Sequence, residues 1–159
     1  MTGIMVEQVP IEGRPPARSL FDGLPAQVYA GDLRWSPASE TVATQCFADA
    51  AAGVVEMYPV VVRRSGRAVA RAAGIIGPPG EGPPVARQGW VGLVECQPGE
   101  RAAGRQAVDD CRRWLQARGC SQVVGPRTTP LMSGLLVAGY DRPQAILTPY
   151  NPPWYADLF

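Results

Sequence analysis

The chain has 159 residues, no His, and 15 Arg against 14 Asp and Glu, so its formal net charge is +1. This length suits a single domain over residues 1–159, whose core needs neither disulfides nor a structural metal. The near-neutral charge gives no electrostatic case for nucleic acid or an anionic membrane. The lack of His excludes Ser-His and Cys-His dyads and most zinc sites, so we expect no metal.

The sequence carries no targeting or membrane signal. Residues 1–10 lack a basic region followed by an apolar core, and no apolar run reaches spanning length. The four cysteines are dispersed without Cys-x-x-Cys pairing. We therefore expect a cytoplasmic protein with no membrane partner, in which the cysteines are small buried apolar residues.

The first part of the chain predicts a strand, loops and a helix. Residues 7–9 indicate a first strand, and with the following loop they make an N-terminal segment over residues 1–19. The Pro, Gly and Asp content of residues 10–37 predicts ordered loops with short helical turns. Ser36-Pro37 supplies a cap and a first-turn Pro, which predicts a helix to about Gly53.

The middle of the chain predicts antiparallel strands. The Val-rich residues 56–64, the turn Ser65-Gly66 and residues 67–76 indicate a hairpin. The Pro/Gly-rich residues 77–87 predict a surface loop, because Pro removes hydrogen-bond donors. Residues 89–96 predict an apolar strand whose two glycines indicate a bulge or a close backbone approach.

The later part predicts one long helix and several short elements. Residues 100–118 carry an apolar stripe, and Gly119 follows as the C-terminal stop. Residues 121–125 predict a short strand parallel to the preceding one, since a helix separates the two. Residues 134–138 indicate a helical turn or short strand and residues 145–147 a short extended run. Asn151 before two prolines predicts the N-cap of a last helix.

This order of elements resembles the GNAT N-acyltransferase fold, and dispersed motifs between about Leu20 and Asp157 resemble its little-studied tandem branch. The motifs are Leu24-Pro25, Val28-Tyr29, Asp32, Trp35, Gly92-Leu93-Val94-Glu95-Cys96, Trp114-Leu115, Gly119, Gly125-Pro126, Gly134-Leu135-Leu136-Val137, Gly139-Tyr140-Asp141-x-Pro143 and Tyr150-Asn151-Pro152-Pro153-x-Tyr155. The resemblance implies an α/β (α+β) fold with a mixed sheet of about five to six strands and flanking helices. Proteins of that branch continue into a closing C-terminal hairpin, and we expect this domain to be without it. We therefore expect a homodimer or a partner chain to cover the C-terminal sheet edge.

The resemblance also implies an acyl-CoA site between two parallel strands that diverge, with the pyrophosphate at the start of the long helix. The residues in that turn are Gly99, Arg101, Ala103, Gly104 and Arg105. The family signature is met except at its last position, where Gln106 stands. The alternative is a structural helix start with exposed arginines.

For catalysis, the resemblance implies a base for the attacking amine and a Tyr that protonates the thiolate. Glu95 fits the base, because an apolar surround would raise its pKa, unless it points to solvent on the alternate face. Tyr150 and Tyr155 are candidates for the acid, with aromatic packing as the alternative. Cys96 is a candidate nucleophile whose thiolate would need Arg or a helix terminus.

Candidate substrate-binding residues are Trp90, Arg127 and Tyr140, and Arg127 is placed to meet a carboxylate or phosphate. The leading function is a small-molecule N-acyltransferase that moves an acyl group from acyl-CoA or a carrier-protein thioester to an amine, in secondary metabolism. One alternative is a non-catalytic GNAT-like module that binds a ligand or partner. Another is a GNAT-fold enzyme repurposed for chemistry such as cyclisation.

Overall fold

Five strands form one mixed sheet in the computed structural model, which describes residues 3–37, 39–78, 87–129, 132–145 and 148–159. The strands are β1 (Ile4–Gln8), β2 (Glu56–Arg64), β3 (Arg67–Ile76), β4 (Gln88–Cys96) and β5 (Gln122–Val124). The helices are α1 (Pro16–Val28), α2 (Ser39–Ala51), α3 (Arg101–Ala117) and a C-terminal 3-10 helix over Pro153–Leu158. Most of the predicted loop 77–87 and of the predicted run 145–147 lies outside the described residues.

The strand order is β1-β2-β3-β4-β5, antiparallel up to β4 and parallel between β4 and β5. The predicted β2–β3 hairpin is confirmed, with Ser65 and Gly66 at positive φ in its turn. The parallel relation of β4 and β5 is also confirmed, as the helix between them requires. Within the described part of the chain, no strand pairs with β5 on its far side.

Helix α1 corrects the prediction of loops between residues 10 and 37. Pro16 lies in the first turn, where its missing N–H costs nothing, and Phe21 and Leu24 are buried on the face toward the sheet. Pro25 lies inside the helix and removes the N–H that would donate to the carbonyl of Phe21. The guanidinium of Arg71 donates to that carbonyl at 2.8 Å, so a strand residue completes the helix.

The helices cover the two faces of the sheet. Helix α3 and the C-terminal 3-10 helix pack on one face, and α1 and α2 pack on the other. The four cysteines are buried, as expected, and each is a free thiol: Cys46 on the α2 side and Cys96, Cys111 and Cys120 on the α3 side. The predicted helix at 36–53 is confirmed as α2 with a later start.

The end of the chain differs from its prediction in two ways. The last element is a 3-10 helix, and Pro152 holds its N-cap position without a side-chain hydrogen bond. The Asn151 cap prediction is therefore wrong. Asn151 is buried and binds the loop before it, accepting the N–H of Leu136 at 2.8 Å and donating to the Leu136 carbonyl at 3.3 Å. Its amide thus holds the loop after β5 against the segment that precedes the C-terminal 3-10 helix.

Strands β4 and β5 separate after three paired residues, as the predicted bulge and close approach in β4 require. The pairing ends at Trp90↔Val124, and Leu93 has a φ of 53° beside a register shift between β3 and β4. The following chain still runs along β4, since the N–H of Arg127 donates to Val91 at 2.8 Å. A side chain at Gly92 would collide with the backbone of Arg127, so this approach requires Gly.

No helix in the described ranges combines the length and the apolar character needed to cross a membrane.

Candidate active site

A cavity of about 90 Å³ lies where β4 leaves β5, with lining residues from α2, β3, β4, the segment after β5 and the C-terminal 3-10 helix. Strand β3 contributes Arg71 and strand β4 contributes Glu95, which are register partners across the two strands. The loop after β5 and the end of the chain supply most of the remaining walls. Other lining residues include Trp35, Glu40, Leu93, Arg127, Thr128, Asn151, Tyr150 and Tyr155.

Glu95 is partly buried at this cavity rather than on a solvated face. Burial raises its pKa to about 7, against the opposing effects of Arg71 and of hydrogen bonds from Tyr155 and Tyr29. A carboxyl group with this pKa is divided between its two protonation states near neutral pH. It can therefore accept and return a proton under physiological conditions.

Tyr155 connects Glu95 to the backbone of β4. Its hydroxyl donates to Glu95 Oε2 at 2.8 Å and accepts the N–H of Cys96 at 2.7 Å. Burial and the nearby Glu95 raise the pKa of Tyr155, so the phenol keeps its proton. The pair can pass a proton between a carboxyl and a phenol along one short hydrogen bond.

Tyr150 lines the same cavity, but its hydroxyl is turned toward another carboxylate. It donates to Asp32 Oδ2 at 2.6 Å, and hydrogen bonds from Arg34 and Tyr150 lower the pKa of Asp32 to about 2. The Tyr29 ring stacks on the Trp35 ring with 5.0 Å between the centroids, and its centroid lies 5.7 Å from that of the Tyr150 ring. Tyr150 thus belongs to an aromatic wall, which agrees with the packing alternative.

The charged neighbours of Glu95 in the cavity are Arg71 and Glu40, and neither belongs to a motif of the sequence. Arg71 is 3% exposed, and its Nη1 lies 3.8 Å from Glu40 Oε2. Burial raises the pKa of Glu40, while Arg71 acts against this rise. The available signal was a lone Arg within the apolar run of β3, because a charge in a buried strand needs a partner.

The three predicted substrate residues lie at different distances from this cavity. Arg127 lines it, and its guanidinium stacks on the ring of Trp90 with 5.0 Å to the centroid. Trp90 itself is a support behind that guanidinium rather than a lining residue. Tyr140 lies in the loop beyond, where its hydroxyl donates to the Leu136 carbonyl at 2.6 Å. Its substrate role stays a prediction.

Cys96 has the environment of a core thiol. Its Sγ donates to the Glu100 carbonyl at 3.1 Å, and burial raises its pKa to about 12. A thiol with this pKa is protonated at neutral pH and is a weak nucleophile. The geometry therefore gives no support to a nucleophilic role.

The turn before α3 and the first two turns of α3 hold the predicted CoA-binding residues, and the arginines there bind the C-terminal 3-10 helix. Gly99 has a φ of 82°, and Ala103 and Gly104 are buried. Arg101 pairs with the Asp157 carboxylate at 3.0 Å, and Arg105 donates to the Asp157 carbonyl at 2.7 Å. A pyrophosphate in this turn would compete with Asp157 for both guanidinium groups.

Comparison with known proteins gives one short sequence match and a consistent set of structural matches. No family model matches the chain. A stretch of 45 residues, 27% of the chain, is 40% identical to Protein YghO of Escherichia coli (strain K12). That match covers 12% of YghO, so the chain aligns with only a small part of that protein.

Three solved acetyltransferase structures illustrate the structural likeness. AAC(6')-Iy in complex with a CoA-containing bisubstrate analogue superposes with a TM-score of 0.56 at 14% identity, over 81% of this chain and 82% of that one. Glucosamine-6-phosphate N-acetyltransferase from Arabidopsis thaliana superposes with a TM-score of 0.53 at 13% identity, over 77% of this chain and 80% of that one. A predicted acetyltransferase with acetyl-CoA from Clostridium acetobutylicum superposes with a TM-score of 0.53 at 13% identity, over 76% of this chain and 79% of that one.

These identities are too low to carry a substrate or a reaction from one protein to another. The TM-scores, with about four fifths of each chain covered, show a shared overall fold. The expected α/β architecture, with a five-stranded mixed sheet and flanking helices, is confirmed. The chain has the fold of the GNAT acetyltransferases.

Proposed function

We propose that this protein is a small-molecule N-acyltransferase that takes its acyl group from acyl-CoA or a carrier-protein thioester. The observation that carries the proposal is the Glu95–Tyr155 hydrogen bond of 2.8 Å, in the cavity where the parallel strands separate. In the proposed reaction, this pair lies between the bound thioester and the attacking amine. A proton-transfer pair is what aminolysis of a thioester needs there.

In the proposed reaction, the Glu95 carboxylate accepts a proton from the ammonium form of the acceptor. The free amine attacks the thioester carbonyl, a C–N bond forms, the C–S bond breaks, and the remaining excess proton on the nitrogen passes to solvent water. Tyr155 donates its proton to the leaving thiolate and regains one from Glu95 along their hydrogen bond. The pair thus moves one proton from amine to thiol and returns to its starting state.

The donor site places a condition on this proposal. The turn before α3 and the start of that helix offer two guanidinium groups and unpaired backbone N–H groups, which suit a pyrophosphate. Both groups now bind Asp157, and Leu158 packs on Gly104. Acyl-CoA therefore fits only if the contacts between the C-terminal 3-10 helix and the two arginines break. A carrier-protein thioester depends less on this turn.

The same contacts favour a second candidate, a non-catalytic module that binds a ligand in the cavity. In that case, Asp157 holds the turn permanently closed and no thioester enters. Native mass spectrometry with and without acetyl-CoA separates the two functions. A complex with one CoA per chain supports the transferase, and its absence at all concentrations, together with no turnover, supports the binding module.

The catalytic role of Glu95 is tested by Glu95→Gln, with Glu12→Gln at an exposed position as the matched control. Release of free thiol from acetyl-CoA is followed in the presence of an amine panel. We expect kcat/KM to fall roughly 10²–10⁴-fold in Glu95→Gln and to stay unchanged in Glu12→Gln. The wild-type rate should rise with pH through about 7, the pKa of Glu95, and the variant should lack this limb.

A further inference from the structure

Two cationic side chains line the cavity, the buried Arg71 and the partly buried Arg127, and among the described residues only Arg71 is matched by carboxylates. Arg71 has Glu40 at 3.8 Å and Glu95 as its register partner, and it also donates to the Phe21 carbonyl. Its positive charge is therefore compensated from two sides, although its Nε has no hydrogen-bond partner. This arrangement positions Arg71 as a fixed charge beside the proton-transfer pair.

Arg127 is the unmatched cation. No carboxylate of the described residues lies within ion-pair distance of its guanidinium, and its buried Nε has no hydrogen-bond partner among them. Burying a charged group without a counter-charge is costly. A ligand that supplies the counter-charge would remove this cost.

The local structure holds Arg127 rigidly toward the cavity. Its N–H donates to Val91 at 2.8 Å, and its carbonyl packs against Gly92. The next residue, Thr128, accepts the N–H of Leu93 at 3.1 Å through its hydroxyl. The guanidinium Cζ then lies over the ring of Trp90, 5.0 Å from its centroid, and the guanidinium also lines the cavity. A planar guanidinium held in this way is suited to a bidentate carboxylate.

The remaining walls define the rest of the ligand. Leu93, Val42 and Leu135 are apolar lining residues, and Trp35 contributes an aromatic ring. Glu95 and Arg127 both line the cavity, so a proton acceptor and a cation face the same space. The cavity therefore offers a cation for a carboxylate, a proton acceptor for an amine and apolar walls for a side chain.

We propose that the acceptor is an α-amino acid with an apolar side chain, whose carboxylate binds Arg127 while its amine faces Glu95. This assignment rests on the proposed acyl transfer, since it names the acceptor of that reaction. The carboxylate supplies the counter-charge that Arg127 lacks. Arg71 keeps Glu95 and Glu40 from repelling this ligand.

The test compares matched pairs of amines that differ only in the carboxylate. Leucine is paired with 3-methylbutylamine and phenylalanine with phenethylamine, and each is measured by calorimetric binding without a donor and by thiol release with acetyl-CoA. The wild-type protein should prefer each amino acid by about tenfold to a hundredfold, the effect of a charge-assisted hydrogen bond. Arg127→Gln should abolish the preference, and Arg127→Lys should keep part of it because the charge remains but the fork is lost.

Arg67→Gln, at the exposed start of β3, is the control and should retain the full preference. Circular dichroism and thermal melting establish that each variant is folded. Equal use of both members of a pair by the wild-type protein would overturn the proposal. So would a preference that survives Arg127→Gln, or the failure of both amino acids to bind.

The two readouts separate this inference from the proposed function. Binding that depends on Arg127 without any turnover keeps the carboxylate site and removes the acyl transfer. Turnover that ignores the carboxylate keeps the acyl transfer and removes the carboxylate site.

Discussion

The carboxyl of Glu95 connects the chemistry of the cavity to the stability of the fold. Its pKa is about 7 in the folded protein and 4.5 as the ordinary value, so folding favours the protonated form. The stabilisation is complete below about pH 4.5 and is lost as the pH rises through about 7. Ionisation of this group thus works against folding in the range where catalysis would use it.

We predict that the free energy of unfolding of the wild type, relative to Glu95→Gln, declines by about 2 to 3 kcal/mol between pH 4.5 and pH 8. Urea unfolding at half-unit pH steps measures this difference. Most of the decline should fall below pH 7, and the difference should be constant above pH 8. A difference that is constant over the whole range would show that the pKa of Glu95 is not raised.

Tyr155→Phe removes one hydroxyl from two partners at once. Glu95 and the Cys96 N–H would both lose their hydrogen bond, so we expect a destabilisation of about 1–3 kcal/mol. The hydrogen bond from Tyr155 lowers the pKa of Glu95, so its loss should move the rising limb of the pH–rate profile upward. The control Tyr58→Phe removes a hydroxyl bonded to Asp110 at 3.0 Å, outside the cavity, and should leave the limb in place. An unchanged limb in Tyr155→Phe would separate this tyrosine from the proton transfer.

At the scale of secondary-structure elements, the approach of the 125–128 segment to β4 decides where Arg127 lies. Gly92→Ala would push its new methyl group into the Arg127 backbone and force the two segments apart. We expect a loss of about 1–3 kcal/mol in stability, together with weaker binding in the cavity. Urea unfolding and calorimetry measure the two effects.

Gly23→Ala in α1 is the matched control, because a methyl group there meets nothing within 4 Å. Alanine is also the better helix former, so this control should be neutral or slightly stabilising. Equal behaviour of the two variants would contradict the close approach at Gly92.

The second prediction at this scale concerns the C-terminal 3-10 helix and α3. Asp157→Asn removes the carboxylate that holds Arg101, and since this pair is exposed the stability should change by no more than about 1 kcal/mol. If the turn binds the pyrophosphate of CoA, the affinity for CoA should rise severalfold, because the guanidinium is released. Asp109→Asn removes a comparable surface pair with Arg112 on α3 and should leave CoA binding unchanged. A calorimetric titration in which neither variant differs from the wild type would argue against a pyrophosphate at this turn.

At the scale of the whole molecule, local patterns predicted the elements with regular periodicity. The β2–β3 hairpin, the long helix α3 and the parallel β5 were all accessible from the sequence, because alternation, an apolar stripe and a crossover identify them. Helix α1 was missed because its prolines are usually helix breakers. Pro25 leaves the Phe21 carbonyl without its helical donor, and Arg71, 46 positions later, donates to that carbonyl instead.

The candidate site was predictable only in part, for a related reason. Glu95, Arg127 and Tyr155 could be proposed from motifs, whereas Arg71, Glu40 and Tyr29 reach the cavity through contacts between distant elements. No local pattern encodes such contacts. The dimer, the cytoplasmic location and the role in secondary metabolism stay predictions, and light scattering would measure the first of them.

The four buried thiols give the protein internal reporters of local opening. Cys46 lies on the buried side of α2, Cys111 on the buried side of α3, and Cys96 at the end of β4 beneath α3. Burial raises the pKa of Cys46 to about 11 and of Cys96 to about 12. A thiol-specific reagent can reach them only when the covering helix lifts. The order in which these cysteines become labelled would thus show which side of the sheet opens first. Slower labelling in the presence of a ligand would show whether the ligand suppresses opening on one side or on both.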